Sequence, residues 1–308
     1  MRKMPGRKRG KGVIALVSIL GLIFVISFFA GRLGLFEGSG ISLSNDKIAV
    51  ISIQGVLTSA TDTIEQFKKY EENEEVKALV LRIDSPGGTV VAAQEIYAEI
   101  KKLREDKIVL SSMGNVAASG GYYVAAATEE IVANPGTLTG SIGVISEYPN
   151  FEELMKKVGL KSEVLKGGRY KDLGNPTREM TEEERRLLQD LIDNIHMQFI
   201  RDVALGRGRT VEEIEPLADG RVFTGEQAQA NGLVDRLGNF QDALDRAAEL
   251  AGIEGEPVIL YPEKKRKKIW EYLVQGLVEA MGGVVRSAFE SRGLASFYPE
   301  GFSVSGRR

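Results

Sequence analysis

Residues 111–124 read SSMGNVAASGGYYV, and the rest of the chain is organised around this stretch. Small residues precede Ser119, and two glycines follow it. Such neighbours allow a sharp turn between a strand and a helix and leave the hydroxyl uncrowded. A reactive serine needs this kind of turn, with backbone N–H groups close by. Turns of this composition also occur for structural reasons alone, so other parts of the chain must decide the interpretation.

The segments around this stretch alternate between strand and helix patterns. Runs rich in β-branched residues predict strands, and charged segments with helical spacing predict helices. Strands are predicted at 48–53, 76–83, 108–111, 131–133, 140–145, 161–166 and 257–260. Helices are predicted at 61–74, 89–104, 120–127, 151–158, 181–205, 211–217, 225–231 and 241–251. This alternation predicts an α/β fold with a mostly parallel sheet, whose loops cluster where the strands end.

Composition excludes several kinds of active site. The 308 residues contain no cysteine and a single histidine, His196. Disulfides, thiol nucleophiles, cysteine–zinc sites and histidine-rich metal sites are therefore excluded. His196 lies in a helical pattern, which is typical of a helix surface or an interface. Acid–base chemistry must then use Lys, Asp, Glu or Tyr, and no cofactor or metal is expected.

The N-terminal part has the pattern of a membrane anchor. Residues 1–12 carry six basic side chains and no acid, and the eighteen residues 13–30 carry no charge. As a helix, residues 13–30 would span about 27 Å, close to the thickness of a bilayer core. A cleavable signal peptide would have a shorter apolar core, and a buried helix would be amphipathic. The basic flank predicts a cytoplasmic N-terminus, a transmembrane anchor at 13–30, a linker at 31–46 and an extracytoplasmic domain at 47–262.

The C-terminal part, residues 263–308, is basic and then amphipathic. The run EKKRKK at 263–268 is followed by apolar residues with helical spacing from 269 to 289. Such a helix could pack on the domain, form a subunit interface or lie on an anionic membrane surface. The tail that follows is expected to be flexible.

Two glycine-rich loops follow predicted strands. One contains Ser85-Pro86-Gly87-Gly88 and the other contains Ser119-Gly120-Gly121. Neither matches the spacing of a phosphate-binding loop. Paired glycines can instead expose backbone N–H groups to an oxyanion, and Gly88 and Gly120 are the candidates. Each precedes a helix, whose dipole adds positive potential.

A serine nucleophile needs a base, and lysine replaces histidine in Ser–Lys dyads. The lysine amine must be neutral, and burial favours that form by lowering the pKa. Lys171 is the best candidate because it lies in an irregular loop between Gly168 and Gly174. Most other lysines lie on charged helical faces or in the C-terminal run.

Four motifs carry a family resemblance. In order behind the single anchor, they are DSPGGTV at 84–90, ASGGYYVA at 118–125, TGSIGVI at 139–145 and GRYKDLGNPTREMT at 168–181. Together they resemble the short, single-domain bacterial form of the signal peptide peptidase A family. Those serine peptidases have a Clp-protease/crotonase-like fold with repeated β-β-α units. The resemblance covers residues 47–250 and leaves the C-terminal part unmatched.

The resemblance assigns a role to each candidate residue. It implies that Ser119 is the nucleophile, Lys171 the general base, and Ser141 the residue that orients the lysine amine. By analogy with the fold, Gly88 and Gly120 form the oxyanion hole. It also implies a ring-like homo-oligomer, an octamer, whose Ser119 and Lys171 come from one subunit or from two neighbours. The substrates would be extended peptides, above all signal peptides left in the membrane, and nucleic acid would not be a partner.

Three alternatives stay open at this point. A crotonase-like acyl-CoA enzyme would use similar oxyanion loops, although it would be a soluble protein that relies on carboxylates. A membrane scaffold of the same fold would lack activity. A general quality-control protease for membrane proteins would share the site and differ only in its substrates.

Overall fold

A mostly parallel sheet runs through residues 46–261, the part of the chain that this computed structural model describes. The strands are β1 Lys47–Gln54, β2 Val76–Ser85, β3 Ile108–Ala118, β4 Glu130–Ala133, β5 Leu138–Gly140, β6 Val222–Thr224, β7 Arg236–Leu237 and β8 Val258–Leu260. The helices are α1 Thr61–Glu71, α2 Val90–Leu103, α3 Gly120–Ala125, α4 Glu152–Lys157, α5 Glu182–Gly206, α6 Val211–Ile214, α7 Gly225–Ala230 and α8 Phe240–Leu250. A 3₁₀ turn at Glu215–Leu217 follows α6.

The strand order brings the two glycine-rich loops to the same edge of the sheet. The order is β6-β5-β3-β2-β1-β8, with β4 paired to β3 and β7. Only the β5–β6 pair is antiparallel among these described strands. Because β2 and β3 are parallel neighbours, the loops that leave their carboxyl ends lie side by side.

Helices cover both faces of the central strands, so these strands are apolar on both sides. Alternate residues point to opposite faces. Leu79 and Leu81 join the larger core beside α2, α3 and α5, whereas Val80 joins a smaller cluster with Leu244 of α8. Burial on both faces explains the continuous apolar runs by which the sequence predicted these strands.

Most predicted elements are confirmed, and two strands are wrong. The strand predicted at 140–145 is β5, which ends at Gly140 because the backbone turns there with φ of +76° at Gly140 and +52° at Ser141. Residues 161–166 form no strand and are exposed. Their apolar side chains mimic a strand pattern, but no strand lies beside them to supply hydrogen bonds. The sequence also missed β6 and β7, which are too short to show a period.

The predicted anchor at 13–30, the linker and the C-terminal helix lie outside the described residues. Among residues 46–261, no helix has both the length and the apolar character needed to cross a bilayer.

The long helix α5 begins as its sequence predicts. Thr181 accepts a hydrogen bond from the N–H of Glu184, and the Glu184 carboxylate accepts one from the N–H of Thr181, which completes a capping box. The helix ends at Gly206, against the segment that follows α3. A Cβ on Gly206 would lie 2.0 Å from the Ala126 carbonyl oxygen, so only glycine fits this contact.

We therefore expect Gly206→Ala to destabilise the protein by about 1–3 kcal/mol, because the two backbones must separate to admit the methyl group. Denaturant titration of the full chain in detergent measures this loss as a lower free energy of unfolding. Gly136→Ala is the matched control, since a Cβ there meets no heavy atom within 4 Å. Equal stability of the two variants would contradict the close contact.

Candidate active site

Ser119 occupies a strained turn between β3 and α3. Its φ is +52° and its ψ is −121°, a combination that residues with a Cβ rarely adopt. Its N–H donates to the Gly140 carbonyl at 2.9 Å, which ties the turn to the end of β5. Its hydroxyl makes no hydrogen bond within residues 46–261. The serine is thus held firmly by its backbone, while its half-buried side chain is available to a substrate.

The loop after β2 packs directly against this turn. A Cβ on Gly87 would lie 2.7 Å from the Gly120 nitrogen and 2.8 Å from Ser119 Cβ, so the loops touch through their backbones. Ser85 fixes the bend, because its Oγ donates to the Gly55 carbonyl at 2.6 Å and accepts from the Gly87 N–H at 3.1 Å. Position 87 therefore requires glycine for two reasons: the two backbones approach closely, and the φ of Gly87 is +103°.

The N–H groups of Gly88 and Gly120 lie near each other and are unused. A Cβ on Gly120 would lie 3.3 Å from the Gly88 nitrogen. The Leu57 N–H donates to Gly87 at 2.8 Å and its carbonyl accepts from Thr89 at 2.7 Å, which fixes Gly88 on both sides. Neither the Gly88 N–H nor the Gly120 N–H donates a hydrogen bond in the described part of the chain. Two free donors beside a serine can bind an oxyanion.

Ser141 lies next to Ser119. Ala118 and Gly140 are the last paired residues of β3 and β5, and the two serines follow at facing positions. Both have a φ of +52°, and the Ser141 N–H donates to the Arg221 carbonyl at 2.8 Å. The structure therefore brings together four of the five predicted site residues. The paired strain of the two serines has no signal in the sequence.

Two tyrosines anchor the helix that begins at the nucleophile. Tyr122 is fully buried and donates its hydroxyl to the Leu233 carbonyl at 2.9 Å. Tyr123 stacks on Phe199 of α5 with ring centroids 4.5 Å apart, and its hydroxyl donates to the Asp202 carboxylate. Burial and this carboxylate raise the Tyr123 pKa, so it serves as a neutral donor. The residues of the YY pair thus support the turn rather than react.

Lys171 lies in an exposed turn of the arm, which we define as residues 145–181 between β5 and α5. Its N–H donates to the Gly168 carbonyl at 3.3 Å. Its ammonium makes no hydrogen bond or ion pair within residues 46–261, and none therefore joins it to Ser119. The fifth predicted site residue is thus not paired with the nucleophile inside this one chain.

The two halves of α5 contact different parts of the chain. Its C-terminal half packs on α3 through Phe199, whereas Glu184, in its N-terminal half, contacts the arm through Arg178. Those two residues are about 22 Å apart along the helix axis. The Lys171 turn is attached at the Glu184 end through Arg178, whose Nη1 donates to Glu184 at 2.8 Å.

The arm exposes an unusual amount of apolar surface. Leu165 is fully exposed and Ile145 is 81% exposed. Other large apolar side chains of the arm that are exposed include Phe151, Leu154, Val158, Leu160 and Val164. Several large apolar side chains exposed along one segment are typical of an interaction site.

The described residues offer no obvious metal site. No group of three or more His, Asp or Glu side chains in residues 46–261 is placed to hold a metal ion.

Comparisons with known proteins identify the family. The profile of Peptidase family S49 matches residues 101–254, and the Clp protease profile matches residues 41–137. A Synechocystis sp. protein provisionally named a protease, slr0021, is 48% identical over 70% of this chain and 78% of its own length. An Enterococcus faecium protein provisionally named signal peptide peptidase SppA is 31% identical over 97% of this chain and 90% of its own length.

A solved structure shares the fold. A mutant of the 1510-N membrane-bound stomatin-specific protease superposes with a TM-score of 0.50 and 18% sequence identity, over 72% of this chain and 100% of that one. At this identity the likeness concerns the fold alone.

Proposed function

The chain belongs to Peptidase family S49 and is a serine protease with a Clp-protease-like fold. On this premise we propose that it is a membrane-anchored endopeptidase with a Ser119–Lys171 dyad, which degrades signal peptides left in the membrane after secretion. One observation supports the proposal most directly: the strained Ser119 turn lies against the two unused N–H groups of Gly88 and Gly120.

The mechanism begins with proton transfer. The neutral amine of Lys171 takes the Ser119 proton as Oγ bonds to the peptide carbonyl carbon. The carbonyl oxygen becomes an oxyanion, which accepts hydrogen bonds from the Gly88 and Gly120 N–H groups. The C–N bond then breaks, and the Lys171 ammonium gives its proton to the leaving amine. Water then attacks the acyl carbon while Lys171 takes its proton, the C–Oγ bond breaks to release the peptide carboxylic acid, and the Lys171 ammonium returns a proton to Ser119 Oγ. Ser141 orients the amine throughout.

We propose that the dyad forms between neighbouring subunits of a homo-oligomer. The exposed apolar side chains of the arm would be covered by a second copy of the chain. Lys171 lies on the same arm, so docking of the arm on a neighbour would carry this lysine into the contact, where it would meet the neighbour's Ser119. A ring of eight such contacts would enclose the sites.

The proposed location follows from the N-terminal sequence. An uncharged segment at 13–30 behind six basic residues would hold the domain outside the cytoplasm, close to the bilayer. An enclosed chamber would admit extended peptides and exclude folded neighbours. The name of the Enterococcus relative is consistent with signal peptides as substrates.

Substrate choice is tested by digestion of synthetic signal peptides beside misfolded membrane proteins. We expect the full chain in detergent to cleave the signal peptides, at sites with small or apolar side chains, and to leave the misfolded proteins largely uncut. Ser119→Ala enzyme provides the background rate. Preference for the misfolded proteins would favour a general quality-control protease with the same site.

A further inference from the structure

A network of ion pairs holds the residue that follows Lys171. The Asp172 carboxylate accepts a hydrogen bond from Arg178 Nε at 2.9 Å through one oxygen and pairs with Lys166 through the other. Arg178 Nη2 also donates to the Asp172 backbone carbonyl at 3.3 Å. The Asp172 side chain is only 10% exposed. Both the charge and the backbone of this residue are therefore fixed by neighbours.

The same guanidinium reaches α5. Arg178 donates to Glu184, a residue that is 4% exposed and that completes the capping box with Thr181. These contacts hold the pKa of Asp172 well below its usual range and lower that of Glu184 to about 2. Arg178 thus joins the turn that carries Lys171 to the rigid start of a 25-residue helix.

Asp172 would harm catalysis if it were free. A carboxylate beside a lysine stabilises the ammonium form, whereas a general base must be neutral. In the structure both Asp172 oxygens are taken by other cations, and Lys171 has no counter-charge among residues 46–261. These contacts keep Asp172, the acid nearest to Lys171 in the sequence, from pairing with the lysine.

We propose that Arg178 is a positioning residue for Lys171, which fixes the turn and occupies the Asp172 carboxylate so that this acid does not pair with the base. The proposal rests on the proposed function, since it requires Lys171 to act as the general base. The charged and titratable side chains that contact the turn or the segments packed on it come from the loop after α4, from α4 and from α5. They are Lys166, Arg169, Tyr170, Asp172 and Arg178 of that loop, Glu152 and Lys156 of α4, and Glu183 and Glu184 of α5.

Among the other acids, Glu183 and Glu152 have partners that a change at Arg178 leaves in place, and Glu184 keeps its hydrogen bonds from Thr181. Glu183 pairs with Arg169, and Glu152 accepts from the Glu179 N–H and pairs with Lys156. Asp172 is therefore the acid that a change at Arg178 would release toward Lys171.

The test is the pH dependence of kcat/KM for the full chain with a fluorogenic peptide. Activity should rise with pH as Lys171 loses its proton. In Arg178→Met, the Asp172 carboxylate keeps Lys166 but has one oxygen released, which should raise the midpoint by about one pH unit and lower kcat/KM about tenfold below the midpoint. The double variant Arg178→Met with Asp172→Asn should bring the midpoint back, because the competing charge is gone. Arg178→Lys should shift it less than Arg178→Met.

Controls separate this role from a merely structural one. Arg185→Met removes an exposed arginine of α5 that pairs only with Glu182, and it should leave the midpoint unchanged. A loss of rate in Arg178→Met without a shifted midpoint, or a shift that Asp172→Asn does not reverse, would overturn the proposal. If Arg178→Met fails to fold, Arg178→Lys against Arg185→Lys makes the same comparison.

Failure of the proposed function looks different. If Lys171→Ala keeps its activity, Lys171 is not the base and both proposals fall. If Lys171→Ala is inactive while Arg178→Met keeps the wild-type midpoint, only the positioning role is overturned.

Discussion

Ser119→Ala is expected to abolish peptide hydrolysis, with a loss of kcat on the order of 10⁶-fold, and to abolish labelling by a fluorophosphonate probe. The reason is chemical, because the variant lacks the Oγ that bonds to the carbonyl carbon. The fold should survive, since alanine and serine both place a Cβ in the turn at a φ of +52°. Circular dichroism and the size of the detergent-solubilised particle check that the structure is unchanged.

Two other serines provide the comparison. Ser59→Ala changes an exposed loop serine before α1 and should leave both labelling and activity unchanged. Ser141→Ala should still be labelled, more slowly, because Ser119 remains while the amine of the base loses its orienting partner. If Ser119→Ala is labelled as fully as the wild type, the nucleophile is another residue. If the active proteins are not labelled at all, the reaction does not use a serine nucleophile.

The nucleophile turn was predictable from the sequence because its signal is local. Small residues around Ser119 and paired glycines at 87–88 and 120–121 show a sharp bend and a close backbone approach within a few positions. The parallel order of β2 and β3 then brings the two loops together, and that order follows from the strand–helix alternation. The positive φ shared by Ser119 and Ser141 was not predictable, because it depends on the contact between β3 and β5.

The arm was predicted least well, for a related reason. An apolar side chain is expected to be buried, but the sequence does not show which surface it packs against. Val164 and Leu165 therefore resembled a strand, although the structure exposes both. The irregular sequence around Lys171 likewise predicted a loop, but it did not predict the position of that loop relative to Ser119. The proposed contact with a neighbouring chain would account for apolar side chains that a single chain leaves exposed.

Lys171→Ala is the second large effect that we expect. Removal of the proposed general base should lower kcat by about 10³-fold or more, with the fold intact, because the exposed side chain makes no hydrogen bond or ion pair within residues 46–261. Lys68→Ala, which removes an exposed lysine of α1, should keep wild-type activity. Undiminished hydrolysis by Lys171→Ala would rule out this residue as the base.

Mixing the two inactive variants tests where the dyad forms. A site made from two subunits can combine Ser119 of the Lys171→Ala chain with Lys171 of the Ser119→Ala chain. If subunits mix at random, about a quarter of the sites then carry both groups, and activity should return to about that fraction of wild type. A site within one chain would gain nothing, because no chain in the mixture has both residues. Recovery after co-expression, with none after mixing at a dilution that prevents exchange, would locate the dyad at the subunit boundary. Complete inactivity of the co-expressed mixture would instead contradict the shared site and favour a dyad within one chain.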